Sequence, residues 1–237
     1  MTDLHTHILP GMDDGAENVE KSIEMLKAQR SQGVDTVVLT PHFYRYQENP
    51  KMFLERRLKS ASELAKAMEK MGEERRELPT LVLGAEVAWR PDMAEWDELA
   101  QLCIGQTNNL LLELPFGPWS DKMLDHLYNF IGRSGVMPII AHLDRYLKLQ
   151  PKEYIEDVMS LGAYVQVGSD ILCHPLHRSG AMKLLRDGKV HTIASDCHDM
   201  THRPPNLAAA MQIIRRKLGE NVVEDLVSFS DKLAGVS

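Results

Sequence analysis

The chain has 237 residues and 43% hydrophobic content, which predicts one sizeable core and a single domain over residues 1–237. Its net charge of −7, with 27 basic against 34 acidic residues, argues against a nucleic-acid surface, because that needs a clustered positive face. No apolar run is long enough to span a membrane and the N-terminus does not look like a signal peptide. Three cysteines without paired spacing indicate a reducing cytoplasm.

The first run along the chain carries two histidines at strand spacing. His5 and His7 are two residues apart, so in a strand their side chains point to the same side. A Pro/Gly turn with Asp13 and Asp14 follows directly. This pattern predicts half of a metal site; the alternative is a pair of solvated histidines near a chain end.

Six further short apolar runs follow, and most of them end on a potential metal ligand. They cover residues 36–42, 81–86, 110–113, 138–142, 163–168 and 190–198. Only the run 163–168 ends without an obvious ligand. The polar residues at the ends of the others are His42, Glu86, Glu113, His142, Asp196 and His198.

Segments with helical periodicity separate most of these runs. They cover residues 19–32, 53–71, 122–133, 154–161 and 207–218. About seven strands alternating with helices predict a parallel α/β fold, in which polar residues gather at the carboxyl ends of the strands. Because nearly every strand contributes, a closed or nearly closed barrel fits better than a doubly wound sheet, which uses a switch point.

Taken together, the motifs resemble those of the PHP (polymerase and histidinol phosphatase) superfamily. Within it they resemble the bacterial manganese-dependent tyrosine phosphatases encoded with capsule and exopolysaccharide genes. The matching segments are residues 3–7, 11–15, 40–42, 84–86, 112–114, 141–146, 194–198 and 203–205. The resemblance implies one catalytic domain with a distorted (β/α)7 barrel and a metal site at the C-terminal ends of the strands.

The resemblance also implies a trinuclear site with nine ligands. The first ion would be held by His5, His7, Glu86 and Asp196, and Glu86 would bridge to a second ion held by Glu113 and His142. Asp14, His42 and His198 would hold the third. The family implies Mn²⁺, and the imidazole and carboxylate donors also suit Fe or Zn.

The charges of such a site favour phosphate. Four ligand carboxylates contribute −4 and three divalent ions +6, so an excess of about +2 is left for hydroxide and a phosphoryl group. We therefore expect metal-bound hydroxide to attack phosphorus directly, without a phosphoenzyme.

Two arginines are the candidate catalytic residues. Arg145 follows His142 by three residues and Arg203 follows His198 by five. A guanidinium matches two phosphate oxygens and stabilises charge in the transition state, and the resemblance implies that both grip the substrate phosphate. The alternative for Arg145 is a salt bridge to Asp144 or to an acid in a loop.

Two aspartates have open roles. Asp3 could orient His5 or His7, or could be a buried strand residue bonded to backbone. Asp13 could orient a neighbouring ligand, or could serve only the turn before Gly15.

One motif is expected to be accidental. Cys197 and Arg203 have the C-x5-R spacing of cysteine-dependent tyrosine phosphatases, but the intervening loop has no glycine and is flanked by acids. Such a setting does not lower a thiol pKa. Because Cys197 alternates with Asp196 and His198, it should point away from the metal ions.

Aromatic residues follow several strand ends, where a rim could stack on a phosphotyrosine ring. They are Phe43, Tyr44, Tyr46, Trp89, Phe116 and Trp119. Aromatic residues just past strands are more often loop anchors, so we expect at most two of the six to form such a rim.

The leading functional prediction is a cytoplasmic, metal-dependent protein-tyrosine phosphatase, a phosphoric monoester hydrolase. The resemblance implies a tyrosine autokinase of capsule or exopolysaccharide synthesis as its phosphotyrosine protein substrate. From the charge and the absence of a long apolar run we expect no nucleic-acid partner and no membrane insertion. The first alternative is a small-molecule phosphomonoesterase such as a histidinol-phosphate phosphatase. The second is a non-enzymatic assembly regulator. Helix 16–32 could also pack against another copy in a homo-oligomer.

Overall fold

The computed structural model describes residues 1–236, which contain nine β-strands. They are β1 (Thr2–Thr6), β2 (Thr36–Leu39), β3 (His42–Phe43), β4 (Thr80–Leu83), β5 (Glu86–Ala88), β6 (Asn109–Glu113), β7 (Met137–Ile140), β8 (Tyr164–Gly168) and β9 (Thr192–Ala194). All neighbouring strands pair in parallel, in the orders β1-β2-β4 and β3-β5-β6-β7-β8-β9.

The two sheets continue into one another, because β2 leads directly into β3 and β4 into β5. Between these pairs the backbone N–H of Gly84 donates to Leu39 O at 2.9 Å, and that of Glu86 donates to Pro41 O at 3.1 Å. Pro41 has no N–H for a ladder. A Cβ on Gly84 would lie 3.2 Å from the side chain of Thr40. These two residues interrupt runs that are otherwise continuous strands.

The other ends of the sheets also meet. The N–H of Asp196 donates to His5 O at 2.8 Å and that of His7 to Cys197 O at 2.9 Å, which brings the segment after β9 alongside β1. The result is a strongly curled, barrel-like parallel sheet with its carboxyl strand ends on one side. The predicted α/β class is confirmed, and the seven predicted runs all form strands.

Nine α-helices lie in the same residues 1–236. They are α1 (Val19–Ser31), α2 (Pro50–Lys70), α3 (Asp121–Arg133), α4 (Leu143–Tyr146), α5 (Lys152–Ser160), α6 (Ser169–Cys173), α7 (Ser179–Arg186), α8 (Leu207–Leu218) and α9 (Glu220–Ala234). The five predicted helices correspond to α1, α2, α3, α5 and α8. Side-chain caps fix three of the starts, since Asn18 accepts the N–H of Lys21 at 3.0 Å, Asn49 that of Lys51 at 2.8 Å and Ser120 that of Met123 at 3.3 Å.

Helix α9 closes the end of the sheet opposite the carboxyl strand ends. The side chain of Asn109, the first residue of β6, donates to Leu233 O at 2.8 Å. The hydroxyl of Thr192, the first residue of β9, lies 2.6 Å from the hydroxyl of Ser230. Leu233 also packs in an apolar cluster with Leu4 of β1. The amino ends of the strands are thus sealed by packing.

The main apolar core lies between the sheet and the surrounding helices. It joins strand residues such as Leu110 and Leu112 to helix residues such as Phe53, Phe130 and Ile214, all essentially buried. No helix within residues 1–236 is long and apolar enough to cross a membrane.

Candidate metal centre and active site

All nine predicted metal ligands come together at the carboxyl ends of the strands. Each has a nitrogen or oxygen within 3.6 Å of another member of the set. They are His5, His7, Asp14, His42, Glu86, Glu113, His142, Asp196 and His198. Most are buried, but the side chain of Asp14 is 67% exposed. Cavities of about 570 and 310 Å³ open beside Asp14, so the cluster can be reached from outside.

Glu86 lies at the centre of the cluster and is only 1% exposed. Its Oε1 is 2.9 Å from His142 Nε2, and its Oε2 is 2.8 Å from His42 Nδ1 and 3.2 Å from His5 Nε2. Burial alone would raise the pKa of Glu86, but the histidines packed around it, His5 and His142 foremost, hold it well below its ordinary value. The carboxylate is therefore ionised.

Second partners orient the two histidines of the N-terminal run. Nδ1 of His7 lies 2.7 Å from Asp13 Oδ2, and Nδ1 of His5 lies 3.3 Å from Gln166 Oε1. An acceptor on Nδ1 fixes the tautomer and leaves the lone pair on Nε2. Both Nε2 atoms consequently face the centre of the cluster. The structure shows both roles considered for Asp13, because its Oδ1 also accepts the N–H of Gly15 at 3.0 Å within the turn.

The donor atoms fit divalent cations. Nε2 of His5 and Nε2 of His7 are 3.1 Å apart, and both lie within 3.3 Å of Glu86 Oε2. With Nδ1 protonated, two nitrogen lone pairs and a carboxylate oxygen face one another without a hydrogen between them. Oε2 of Glu86 has no hydrogen-bond partner in the described part of the chain. A cation among these atoms would satisfy all three, whereas unmet buried polar atoms are costly.

Three groups of potential ligands have donor atoms within 4.8 Å of one another. They are His7, Asp14, His42 and His198; His5, His7 and Asp196; and His42, Glu86 and Glu113. These groups overlap with the three sets that the family resemblance implies. They differ in that His7 and His42 each belong to two groups, whereas the resemblance assigns each of them to one ion. His142 lies outside them and contacts Glu86 and Glu113 at 2.9 and 3.6 Å.

Both candidate arginines reach Asp196. Arg145 Nη2 contacts Asp196 Oδ2, and Arg203 Nη2 donates to the same oxygen at 2.6 Å. The partner of Arg145 is therefore not Asp144 but Asp196, an acid in the loop after β9, so the alternative of a salt bridge to an acid in a loop describes the observed contact. The side chains of both arginines are 37% exposed, so the two guanidiniums lie at the edge of the centre, where a phosphate could reach them.

His198 is held as a neutral imidazole. Its Nδ1 donates to Asp196 O at 2.9 Å, and its Nε2 accepts from Arg203 Nη1 at 2.9 Å. Burial lowers the pKa of His198 to about 4, with further contributions from the neighbouring His7 and Arg203. A neutral imidazole with a defined lone pair is the form that binds metal ions.

The backbone is strained at two of the nine positions. His142 has φ of 33° and Asp196 has φ of 52°, in the left-handed region that residues other than glycine seldom occupy. Gly15 meets a different constraint, because a Cβ there would lie 2.0 Å from His7 O. The tight turn that carries Asp13 and Asp14 therefore requires glycine.

Gln166 is a site residue that sequence reasoning missed. Besides its contact with His5, its Oε1 accepts the backbone N–H of His142 at 2.7 Å, so one amide orients two parts of the cluster. The sequence signal was a single polar side chain inside the apolar run 163–168, and the structure buries it fully. The run ends on glycine, which offers no ligand, so nothing else in it pointed to the site.

Asp3 does not touch the imidazoles of the cluster. Its carboxylate accepts from Gln29 Nε2 at 2.6 Å and from the N–H of Ser195 at 3.0 Å. The β1–β2 register is irregular between Asp3 and Thr6. The alternative reading, a buried residue bonded to backbone, describes it.

Cys197 points away from the cluster, as predicted. Its sulfur lies 3.5 Å from Gln29 Nε2 on α1 and is fully buried. Burial raises the pKa of Cys197 to about 12. A buried protonated thiol is not a nucleophile.

The six aromatic residues near the strand ends divide into two groups. Phe43 and Trp119 are buried in the core, and Trp89 packs edge-on against Phe130. Tyr44, Tyr46 and Phe116 remain on the side of the metal centre, with Tyr46 72% and Phe116 47% exposed.

Comparison with known proteins gives concordant matches over the whole chain. The family described as "Capsular polysaccharide synthesis, CpsB/CapC" matches residues 1–232. Tyrosine-protein phosphatase CpsB of Streptococcus agalactiae serotype III is 28% identical over 95% of this chain and 94% of its own length. Tyrosine-protein phosphatase YwqE of Bacillus subtilis is 28% identical over 94% and 87%. Putative tyrosine-protein phosphatase CapC of Staphylococcus aureus is 30% identical over 86% and 79%.

Solved structures agree with the sequence matches. A structure from work on YwqE of Bacillus subtilis and CpsB of Streptococcus pneumoniae, described as unique metal-dependent tyrosine phosphatases, aligns with a TM-score of 0.84 at 26% identity. The alignment covers 100% of this chain and 95% of that one. A β-aspartyl dipeptidase from Fervidobacterium islandicum aligns with a TM-score of 0.53 at 14% identity, a likeness of fold alone, over 98% of this chain and 74% of that one. The family resemblance is thereby confirmed, and the chain belongs to the CpsB/CapC family of capsular polysaccharide synthesis.

Proposed function

We propose that this protein is a metal-dependent protein-tyrosine phosphatase, a phosphoric monoester hydrolase acting on phosphotyrosine in proteins. The observation that carries the proposal is the convergence of nine imidazoles and carboxylates, with two guanidiniums at their edge, in a member of this family. The names of the relatives and the description of the aligned structure support the same activity.

The nine residues would hold three divalent ions, with Mn²⁺ as the first candidate and Fe or Zn as the others. The mixed nitrogen and oxygen donors and the buried, ionised Glu86 support this assignment. When bound, the ions supply a hydroxide nucleophile near neutral pH and neutralise phosphoryl oxygens.

The protein's own residues then have separate tasks. Asp13 and Gln166 hold His7 and His5 in the orientation that presents Nε2 to the centre. Arg145 and Arg203 bind the phosphate oxygens and stabilise the charge that develops on them. Because Cys197 is buried and protonated, phosphate is released by direct hydrolysis without a phosphocysteine.

We further propose the biological setting that the family suggests. The substrate would be a tyrosine autokinase that regulates capsule or exopolysaccharide synthesis, and residues 1–237 would act in the cytoplasm as one catalytic domain. The family description refers to capsular polysaccharide synthesis, which supports this assignment.

The test is phosphate release by purified protein whose metal content is known from elemental analysis. We expect rapid release from a phosphotyrosine peptide and slow release from a phosphoserine peptide and from histidinol phosphate. Equal rates on all three would overturn the protein-phosphatase assignment, and preference for histidinol phosphate would favour the small-molecule alternative. No release with a metal-loaded site would favour the non-enzymatic regulator.

Variants add a control to this assay. His42→Ala should lower turnover by about a hundredfold or more, because it removes a donor next to Glu86. His126→Ala, on α3 away from the cluster, should leave turnover unchanged.

A further inference from the structure

Phe116 is a partly exposed aromatic ring directly beside the metal centre. It lies in the loop after β6 and stacks on His142, with ring centroids 5.9 Å apart and planes inclined by 17°. Its ring centroid also lies 5.3 Å from that of Tyr146, a fully buried residue. One face of Phe116 is thus fixed against the protein, while 47% of the residue remains open.

Tyr44 occupies an equivalent place on a different ligand. Its ring stacks on His42, with centroids 5.3 Å apart and planes inclined by 29°. It is half-buried and lines the 310 Å³ cavity together with His42 and Asp14. Tyr44 therefore borders a space that opens onto the metal centre.

The two histidines that carry these rings contact the same carboxylate through different oxygens. His142 Nε2 lies 2.9 Å from Glu86 Oε1, and His42 Nδ1 lies 2.8 Å from Glu86 Oε2. Phe116 and Tyr44 therefore each stack on a histidine that contacts Glu86. We call this pair the aromatic rim.

The remaining aromatic residues show that the rim is not simply part of the core. Phe43, the last residue of β3, and Trp119, in the segment after β6, are 0% and 5% exposed. Burial of Phe116 therefore contributes much less stabilising free energy than burial of Phe43 or Trp119. The open surface of its ring is in contact with water, which is unfavourable for apolar surface. Aromatic rings attract other aromatic rings at centroid distances of about 4.5–7 Å, so an open ring face beside a reaction centre suits an aromatic ligand.

We propose that the aromatic rim binds the phenyl ring of the phosphorylated side chain and selects aryl over alkyl phosphate esters. This inference rests on the proposed function, and it names the residues that would distinguish phosphotyrosine from phosphoserine. Arg145, a predicted phosphate-binding residue, is three residues from His142 and contacts Asp196. It therefore belongs to the same segment as the histidine on which Phe116 stacks.

The test compares two non-hydrolysable ligands that share one charged group, phenylphosphonate and methylphosphonate. Their inhibition constants are measured against a phosphotyrosine peptide, and their binding to the metal-loaded protein is measured by calorimetry. Phe116→Ala should weaken the binding of phenylphosphonate by about five- to tenfold and change the binding of methylphosphonate by less than about twofold. Tyr44→Ala should act in the same direction, and Tyr44→Phe should retain the preference because it keeps the ring.

Tyr128→Ala is the matched control, since Tyr128 is a 65% exposed aromatic residue on α3. It should change neither constant. Equal weakening of both phosphonates by Phe116→Ala would show a structural role through His142 and would overturn the proposal. An unchanged preference in Phe116→Ala, or none in the wild type, would overturn it as well. Failure of the wild type to hydrolyse phosphotyrosine would instead overturn the proposed function, so the two failures are distinguishable.

Discussion

Asp196 joins the arginines of the site to its histidines. Its Oδ2 contacts Arg145 and Arg203, while its Oδ1 lies 3.3 Å from His5 Nε2 and 3.4 Å from His7 Nε2. Burial would raise the pKa of Asp196, but the neighbouring imidazoles hold it well below its ordinary value. One ionised carboxylate thus faces both the predicted ions and the predicted phosphate grip.

Replacing Arg203 should separate substrate binding from metal binding. We expect Arg203→Ala to lower kcat/KM for a phosphotyrosine peptide by about a hundredfold or more, because a charge-assisted phosphate contact is lost in the transition state. Its bound metal should stay the same by elemental analysis. Arg216→Ala, an exposed arginine on α8, is the control. A fully active Arg203→Ala would contradict the assigned role.

The cysteines should differ sharply in reactivity. Burial raises the pKa of Cys103 to about 11 and that of Cys197 to about 12, whereas Cys173 is only partly buried. Native protein treated with iodoacetamide at pH 8 should therefore be labelled at Cys173 first, as read by peptide mass spectrometry. Cys197→Ser should keep full phosphatase activity, and an inactive variant would show that Cys197 takes part in catalysis.

At the residue scale, the sequence predicted the candidate metal ligands better than the residues that orient them. His5 and His7 are recognisable because a strand repeats every two residues and histidine is a strong ligand. Gln166 is not, because an amide in an apolar run has many roles and its two partners, His5 and His142, are distant in sequence. A supporting residue is defined by what it touches, which only the fold shows.

At the scale of elements, periodicity located the strands and five helices, but not where the strands break. The run 36–42 divides at Pro41, and the run 81–86 divides at Gly84. A proline removes a single donor, and whether that ends a strand depends on its neighbours in the sheet. The irregular step between Asp3 and Thr6 is likewise a property of the pairing with β2.

The turn after β1 gives a prediction at this scale. Gly15→Ala should lower the free energy of unfolding by about 2–3 kcal/mol, because the added Cβ would overlap His7 O and the turn would have to move. It should also weaken metal binding through Asp14. Gly132→Ala is the control, since a Cβ at Gly132 in α3 meets nothing within 4 Å. Denaturant unfolding measures the stability of the two variants, and equal free energies of unfolding would contradict the predicted clash.

For the whole molecule, the charge of the centre predicts that ions stabilise the fold. Adding Mn²⁺ at about 100 times its dissociation constant should raise the free energy of unfolding by about 2.7 kcal/mol, and a chelator should remove the gain. Thermal unfolding with and without the ion measures the effect. The ionised ligand carboxylates, Glu86 and Asp196 among them, repel one another until cations lie between them.

Glu86→Gln should abolish most of this ion-dependent gain, because it removes the central negative charge with little change in shape. Asp225→Asn, an exposed aspartate on α9, should retain it. An equal response of the two variants would contradict the central role of Glu86.

The sequence predicted which residues gather in the centre, but not how they divide among ions. The family resemblance implied the set of nine, and eight of them also lie at or near strand ends, where the ligands of parallel strands meet at one edge. Their spatial groups share His7 and His42, and sharing depends on tenths of an ångström in side-chain placement. Family motifs name the members of such a cluster without fixing those distances.

The hydrogen bonds between the segments at His5–His7 and Asp196–Cys197 have a consequence for biosynthesis. The earliest and the latest parts of the centre are almost the whole chain apart, and non-local contacts of this kind form late in folding. Nearly all of the polypeptide would have to be synthesised before these two segments could bind a metal ion together. Truncated translation products would accordingly be inert as hydrolases, whatever ion the cell offers them.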